Sequence, residues 1–199
     1  MRPLDPADGT GAEGLARIQA DLGDCRRCGL CEGRTNVVFG VGDPDADLLV
    51  IGEGPGQQED LKGEPFVGPA GQMLDRMLEN VLGLRRDQVY IANVVKCRPP
   101  GNRNPAPEEA ATCKPFLLRQ VAAVRPRLVL VLGSVALREV LCLQGIKRSR
   151  GRETRLGGIP AIPTFHPAYL LRVPEDKRLA FDDLKLARAR YDALGGRRG

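Results

Sequence analysis

The chain has 199 residues, 42% of them hydrophobic and 28% charged, with 30 Lys and Arg against 25 Asp and Glu for a net charge of +5. That length suits one globular domain with a core of its own, and the apolar content is too high for a disordered chain. No apolar run approaches the roughly 18–20 residues that a membrane span needs, and residues 1–11 lack the apolar stretch behind a basic start that marks a secretory signal. A soluble, cytosolic protein is therefore expected. Its basic residues gather at Lys147, Arg148, Arg150, Arg152 and Arg155, opposed only by Glu153, and at Lys96, Arg98 and Arg103. Charge alone does not separate nucleic-acid binding from a solvated surface.

In chain order, residues 13–22 alternate as a short amphipathic helix leading into a Cys-x-x-Cys turn. Residues 47–52 form a continuous apolar run ending in glycine, the pattern of a strand buried on both faces. A helix is expected over 70–81 and a second buried strand over 89–95. Residues 107–124 read as a helix with Pro107, Glu108 and Glu109 in its first turn. A third strand follows at 128–133, then a helix at 135–143 with Ser134 suited to its N-cap. The run 159–165, interrupted by Pro160 and Pro163, reads as a fourth strand nearer a sheet edge, and a last helix is expected over 180–194. Alternating apolar strands and helices predict an α/β domain, a mostly parallel sheet covered on both faces. One domain over 13–194 is expected, with loose ends at 1–12 and 195–199.

Six cysteines stand out: Cys25, Cys28, Cys31, Cys97, Cys113 and Cys142. Cys25 and Cys28 have the spacing with which one turn grips a metal centre, and Cys97 and Cys113 would complete a set of four. A disulfide framework fits poorly in a chain this large without a signal. A thioredoxin-like redox pair would need a strand before Cys25, and none is expected there. Cys142, in an apolar stretch, reads as a small core residue. Cys31 repeats the Cys-x-x-Cys spacing and stays ambiguous. Thiolate spacing does not separate zinc from an iron–sulfur cluster.

In a parallel sheet the ligand sits at the carboxyl ends of the strands. Those ends carry the glycine turn at 52–56 with Glu53 in it, then Asn93, Ser134 and the only histidine, His166. The turn is neither a Walker loop nor a dinucleotide fingerprint. Asn93 lies within an apolar strand, where its amide needs a partner or a ligand. Phe66, in the flexible run 63–68, is either core or a stacking platform.

Four ordered motifs now carry a resemblance. They are Gly52-Glu53-Gly54-Pro55-Gly56, Gly63-Glu64-Pro65-Phe66-Val67-Gly68, Asn93-Val94-Val95-Lys96-Cys97-Arg98-Pro99-Pro100 and His166-Pro167-Ala168-Tyr169-Leu170-Leu171. In this order they resemble the family 4 uracil-DNA glycosylases over about residues 25–194. The resemblance implies a three-layer α/β/α sandwich around a four-stranded, mostly parallel sheet, and a [4Fe–4S] cluster on Cys25, Cys28, Cys97 and Cys113. It implies hydrolysis of the uracil–deoxyribose bond in single- or double-stranded DNA, leaving an abasic site, by a monomer in the bacterial or archaeal cytosol at the nucleoid.

The same resemblance assigns Gly52, Gly54, Glu59, Phe66, Asn93 and His166 to uracil. Phe66 stacks on the base, Asn93 bonds its O4/N3 edge, and Glu59 fills the space near C5 that a thymine methyl would need. Catalysis falls to His166, on the departing uracil anion, and to Glu53, on the cationic sugar or its water. Lys96, Arg98 and Ser134 are assigned to DNA phosphates, and Leu170 to the wedge that fills the vacated base stack. There are two departures of note. Ala168 stands where His-Pro-Ser is common, and Gly54 occupies the position that holds a catalytic Asp in other uracil glycosylases, as is usual for this family. The competing reading is a binding protein that traps uracil-DNA covalently through an additional histidine on a basic loop. No such histidine exists here.

Overall fold

A computed structural model describes residues 4–197. Its frame is a six-stranded sheet in the order β1-β3-β2-β4-β6-β5, made of β1 (Val41–Gly42), β2 (Leu48–Gly52), β3 (Tyr90–Asn93), β4 (Leu128–Leu132), β5 (Thr154–Leu156) and β6 (Ile159–Thr164). The four inner strands are parallel, with Gly52 opposite Asn93 and Leu132 opposite Thr164 at their carboxyl ends. These are the four strands expected from the apolar runs. The short antiparallel edges β1 and β5 are additions to that expectation. Their two and three residues are too few to show a period, and β5 lies inside the basic cluster.

Each inner strand feeds two cores, because successive side chains alternate between faces. Leu49, Ile51, Val129 and Val131 pack against α1 (Gly11–Leu22), α4 (Pro107–Val124) and α5 (Gly133–Leu141). Leu48, Val50, Leu128 and Leu130 pack against α3 (Pro69–Met77), α7 (Pro167–Arg172) and α8 (Lys177–Ala193). All eight strand residues are buried, each contributing about 1.5–3 kcal/mol of hydrophobic stabilisation. The result is the expected three-layer sandwich. The chain leaves β2 toward β3 on one side and later returns to β4 on the other, so β2 marks the topological switch point where a crevice opens.

The helices depart from expectation mainly at their ends. The helix expected over 70–81 is α3 followed by a single π turn, Leu78–Leu82. Ser134 is not an N-cap, since α5 already begins at Gly133 and Ser134 lies inside its first turn. The stretch expected to be a loose N-terminus overlaps α1, and Asp8 within it accepts two hydrogen bonds from Arg119 at 2.7 Å. Near the other end Arg197 donates to Asp47 at 3.0 Å. Residues 1–3 and 198–199 of the expected ends lie outside the described residues. Two short helices complete the chain, α2 (Gln57–Lys62) and α6 (Ile146–Ser149).

Candidate active site and cysteine cradle

A cleft of about 490 Å³ opens at the carboxyl ends of the inner strands, and Glu53, Gly54, Glu59, Phe66, Asn93, Ser134 and His166 all line it. Asn93, the last residue of β3, is 2% exposed, and its Oδ1 has no hydrogen-bond partner. A buried amide oxygen left unpaired costs about 1–3 kcal/mol, so the cleft carries an acceptor awaiting an N–H donor. Gly52 makes room for it. A Cβ at Gly52 would stand 2.4 Å from Asn93 Oδ1 and 2.6 Å from Phe66 Cζ, so the strand, the amide and the ring touch only because residue 52 has no side chain. Gly54 is similarly confined, since a Cβ there would meet Val95 Cγ2 at 2.7 Å.

Phe66 is held in a left-handed conformation, φ +55°, which a side-chain-bearing residue adopts only when its surroundings impose it. Two charged residues impose it here. Arg86 donates to the Phe66 carbonyl at 3.0 Å and to the Pro65 carbonyl, and it pairs with Asp75 and Glu64 at 3.3 Å each. From the other side the Glu59 carboxylate accepts from the backbone N–H groups of Val67 and Gly68 at 2.9 Å and of Gly56 at 3.1 Å. Glu59 therefore braces the cleft wall through three backbone N–H groups, two on Oε1 and one on Oε2. The Phe66 ring faces His166, with centroids 5.6 Å apart and planes tilted by 32°.

His166 stands where β6 gives way to α7. Its Nδ1 accepts from the Ala168 backbone N–H at 3.2 Å, so the ring proton resides on Nε2. Burial pushes its pKa down to about 4, helped by the Arg172 charge and opposed by Glu59. The ring is thus a neutral Nε2–H donor at pH 7. The Ala168 backbone supplies this orientation, while its side chain offers no hydroxyl for a contact to the DNA backbone. Glu53 follows β2, and burial raises its carboxyl pKa, against a smaller opposing effect of Arg138.

The cysteines divide as expected in part. Cys25, Cys28, Cys97 and Cys113 line one small cavity beneath α1 and α4, and Cys31 joins them from the turn Gly29–Cys31. Cys142 is not a core residue. It is exposed at the end of α5 with φ +56°, the stop of the helix turning it out of the apolar stretch that surrounds it in sequence. Three N–H groups point at the sulfurs: Lys96 N to Cys113 Sγ at 3.3 Å, Arg34 Nη1 to Cys97 Sγ at 3.3 Å and Arg27 Nη1 to Cys25 Sγ at 3.5 Å. Burial pushes the Cys97 thiol up to about 11, with Arg34 opposing, and raises Cys113 as well. Among the described residues, no three His, Cys, Asp or Glu side chains converge as they would around a single metal ion.

The family model for the uracil DNA glycosylase superfamily matches residues 39–186, which include every cleft residue named above. A type-4 uracil-DNA glycosylase of Thermotoga maritima is 46% identical over 170 residues, 83% of this chain and 88% of the relative. Those of Archaeoglobus fulgidus and Sulfurisphaera tokodaii are 42% and 38% identical, over 87% and 88% of this chain and 91% and 84% of theirs. The chain belongs to the type-4 uracil-DNA glycosylase family.

On the rim of the cleft, the residues assigned to DNA through this family membership need two corrections. Lys96 does not reach any phosphate: it is 0% exposed, and its Nζ donates to the Asn93 carbonyl at 2.9 Å and to Gln120 Oε1. Leu170 is 1% exposed within the core beneath α7, while its neighbour Leu171 is 40% exposed. A helix presents adjacent residues about 100° apart, so the carry-over by motif position selects the wrong side of α7. Arg98 is half-buried, its Nε donating to Asn102 Oδ1 at 2.7 Å, and Ser134 is exposed at the cleft. Of the large basic cluster only Lys147 lines the cleft, joined by Arg103 and Arg172. Arg150 is absorbed by an ion pair with Asp183 at 2.8 Å. Arg172 carried no motif of its own, and its one signal is its place at the end of the helix that His166 begins. Leu170→Ala is expected to cost about 2–5 kcal/mol of stability as a core truncation. Leu171→Ala should leave the melting temperature unchanged and weaken excision from duplex more than from single-stranded DNA. Urea melts and paired excision assays check both, and the reverse pattern would restore Leu170 as the wedge.

Proposed function

We infer that this chain hydrolyses the N-glycosidic bond of deoxyuridine in DNA, releasing uracil and leaving an abasic site for repair. The observation that carries this reading is the buried, unpartnered Oδ1 of Asn93, set between Gly52 and the Phe66 ring at the floor of the cleft. Uracil offers an N3–H donor to that oxygen and an O4 acceptor to the amide N–H. Cytosine offers an acceptor and a donor in the same two places, so a fixed amide rejects it.

A base in stacked duplex cannot reach this cleft and must be flipped into it. Phe66 stacks on the flipped ring. As the C1′–N1 bond breaks, its electron pair moves into the uracil ring, where the His166 Nε2–H donates to O2 and stabilises the developing anion. Glu53 faces the cationic sugar and receives the proton of the water whose oxygen bonds to C1′. Gly54 leaves no side chain to share that task. Arg103, Lys147, Arg172 and Ser134 receive the phosphates of the flanking backbone.

The cysteine cradle fits a [4Fe–4S] cluster on Cys25, Cys28, Cys97 and Cys113. Support comes from these four thiols around one cavity, with Cys31 a fifth at its edge, and from cationic and backbone donors aimed at the sulfurs of Cys25, Cys97 and Cys113. A single tetrahedral zinc would bring its sulfurs to about 4 Å of one another. When bound, the cluster would tie the Cys25–Cys28 turn to the loop and helix that carry Cys97 and Cys113, beside the cleft. Anaerobically purified protein is expected to be brown, with iron and acid-labile sulfide in equal amounts, both lost in Cys113→Ser. A colourless protein holding zinc would remove the cluster from this account.

No helix among the described residues is long and apolar enough to cross a membrane, and the reading places the enzyme as a monomer on DNA in the cytoplasm. The test is excision from matched oligonucleotides carrying uracil or thymine. Multiple turnovers on uracil alone are expected. A denaturation-resistant protein–DNA adduct without free uracil would instead make the chain a trap.

A further inference from the structure

Lys96 is a wholly buried ammonium whose partners are two neutral oxygens, the Asn93 carbonyl at 2.9 Å and Gln120 Oε1. Burying a charge without a carboxylate is costly, and an apolar side chain of similar length would fill the space at lower cost. Space-filling therefore does not account for a lysine here: its charge is felt by the Cys113 sulfur of the cradle, and its Nζ holds the Asn93 carbonyl. Asn93 ends β3. The pairing of β1 with β3 stops at Ile91, so no residue of that edge strand donates to the Asn93 carbonyl. The Lys96 Nζ takes the place of the missing strand donor and fixes the peptide plane that aims the Asn93 amide. Its own position is doubly secured. The Lys96 backbone N–H donates to Cys113 Sγ at 3.3 Å, and its carbonyl accepts from Val38 at 2.8 Å. Gln120, also fully buried, is anchored by its Nε2 on the Phe39 carbonyl at 3.0 Å and Tyr90 Oη at 3.2 Å.

We propose that Lys96 is the positioning residue for uracil recognition, locking the Asn93 backbone to the cysteine cradle through one buried side chain. The proposal rests on Asn93 reading the base, and it goes further by naming what keeps that amide in register. A misplacement of about 1 Å at a reacting or recognising group can cost about 100-fold, and a carbonyl freed from the Lys96 donor permits such a shift.

The test is Lys96→Met in the metal-loaded, full-length protein, with single-turnover excision, affinity for free uracil, affinity for abasic-site DNA and visible absorbance measured together. The expected result is a loss of about 10- to 100-fold in excision and a parallel loss in free-uracil affinity, with abasic-DNA affinity and absorbance unchanged. Gln120→Met, which removes one partner of Lys96 but spares its bond to Asn93, is expected to show the same split at about three- to tenfold. It decides the matter if Lys96→Met does not fold. Excision within twofold of wild type in the folded variants overturns the proposal. So does a loss of uracil affinity that appears only together with loss of the absorbance, since Lys96 would then act through the cradle alone. Failure of the wild-type protein to release uracil would count against the glycosylase reading and not against the role of Lys96.

Discussion

Asn93→Asp is expected to lower uracil excision by about 10³-fold or more while leaving affinity for abasic-site DNA within about threefold. The two side chains have the same shape, so the packing against Gly52 and Phe66 survives. What changes is the hydrogen-bond pattern. The acceptor facing uracil N3–H is kept, but the donor facing O4 becomes a second oxygen, and two acceptors are pressed together at a buried position. An unmatched buried pair costs about 1–3 kcal/mol, and more where one partner is ionised. A further penalty falls on the transition state, because negative charge grows on the departing base beside a carboxylate. Abasic DNA has no base in the cleft and feels none of this. Loss of excision and of abasic binding in equal proportion would remove Asn93 from base reading. The contrast with Lys96→Met is informative, since that change should weaken the same interaction without reversing it.

Much of this architecture is legible in the sequence because the inner strands are buried on both faces and write continuous apolar runs, Leu48 to Ile51 and Leu128 to Leu132. Once those runs are read as parallel strands, the ligand end of the sheet follows, and Glu53, Asn93 and His166 fall together in one cleft. Motif position is less informative about direction. Leu170 and Leu171 are equivalent to any reading of composition, and only the packing of α7 against α3 decides which is buried. Lys96 looks like a phosphate ligand for the reason that most lysines are exposed, and its burial depends on Gln120, 24 residues away along the chain. Arg86 is least legible of all. It stands 20 residues from Phe66, in a short turn of charged residues, yet it grips the loop that presents the stacking ring. Contacts of this kind arise from the fold and leave no local period. Cys142 shows the converse error: its apolar neighbours suggest the core, but a helix that ends at Leu141 turns the next residue outward.

His166→Leu is expected to reduce excision by about 10²- to 10³-fold, the usual cost of removing one donor from an anion-stabilising site, with binding of uracil-DNA much less affected. The donor acts on charge that exists only as the bond breaks, so kcat and kcat/KM should fall together. The wild-type pH profile tests the state of the same ring. With its pKa pushed from the ordinary 6.5 down to about 4 by burial, His166 is neutral throughout the physiological range. Single-turnover excision should therefore show no histidine break near pH 6.5; the acid limb should come from Glu53, whose carboxyl burial has raised, with the histidine contributing only as the pH approaches about 4. Stability follows the same sign. The unfolded chain takes up a proton near 6.5 and the folded one does not, so the stabilisation tied to the neutral ring is complete above 6.5 and is lost progressively as the pH falls toward about 4. A rate that halves as the pH falls through 6.5 would mean that the ring titrates normally in the cleft, and one that halves as the pH rises through 6.5 would mean that a cationic histidine replaces the neutral donor in the mechanism. His166→Leu supplies the control, because any acid limb that persists in it belongs to Glu53, whose carboxyl burial has raised, and not to the histidine.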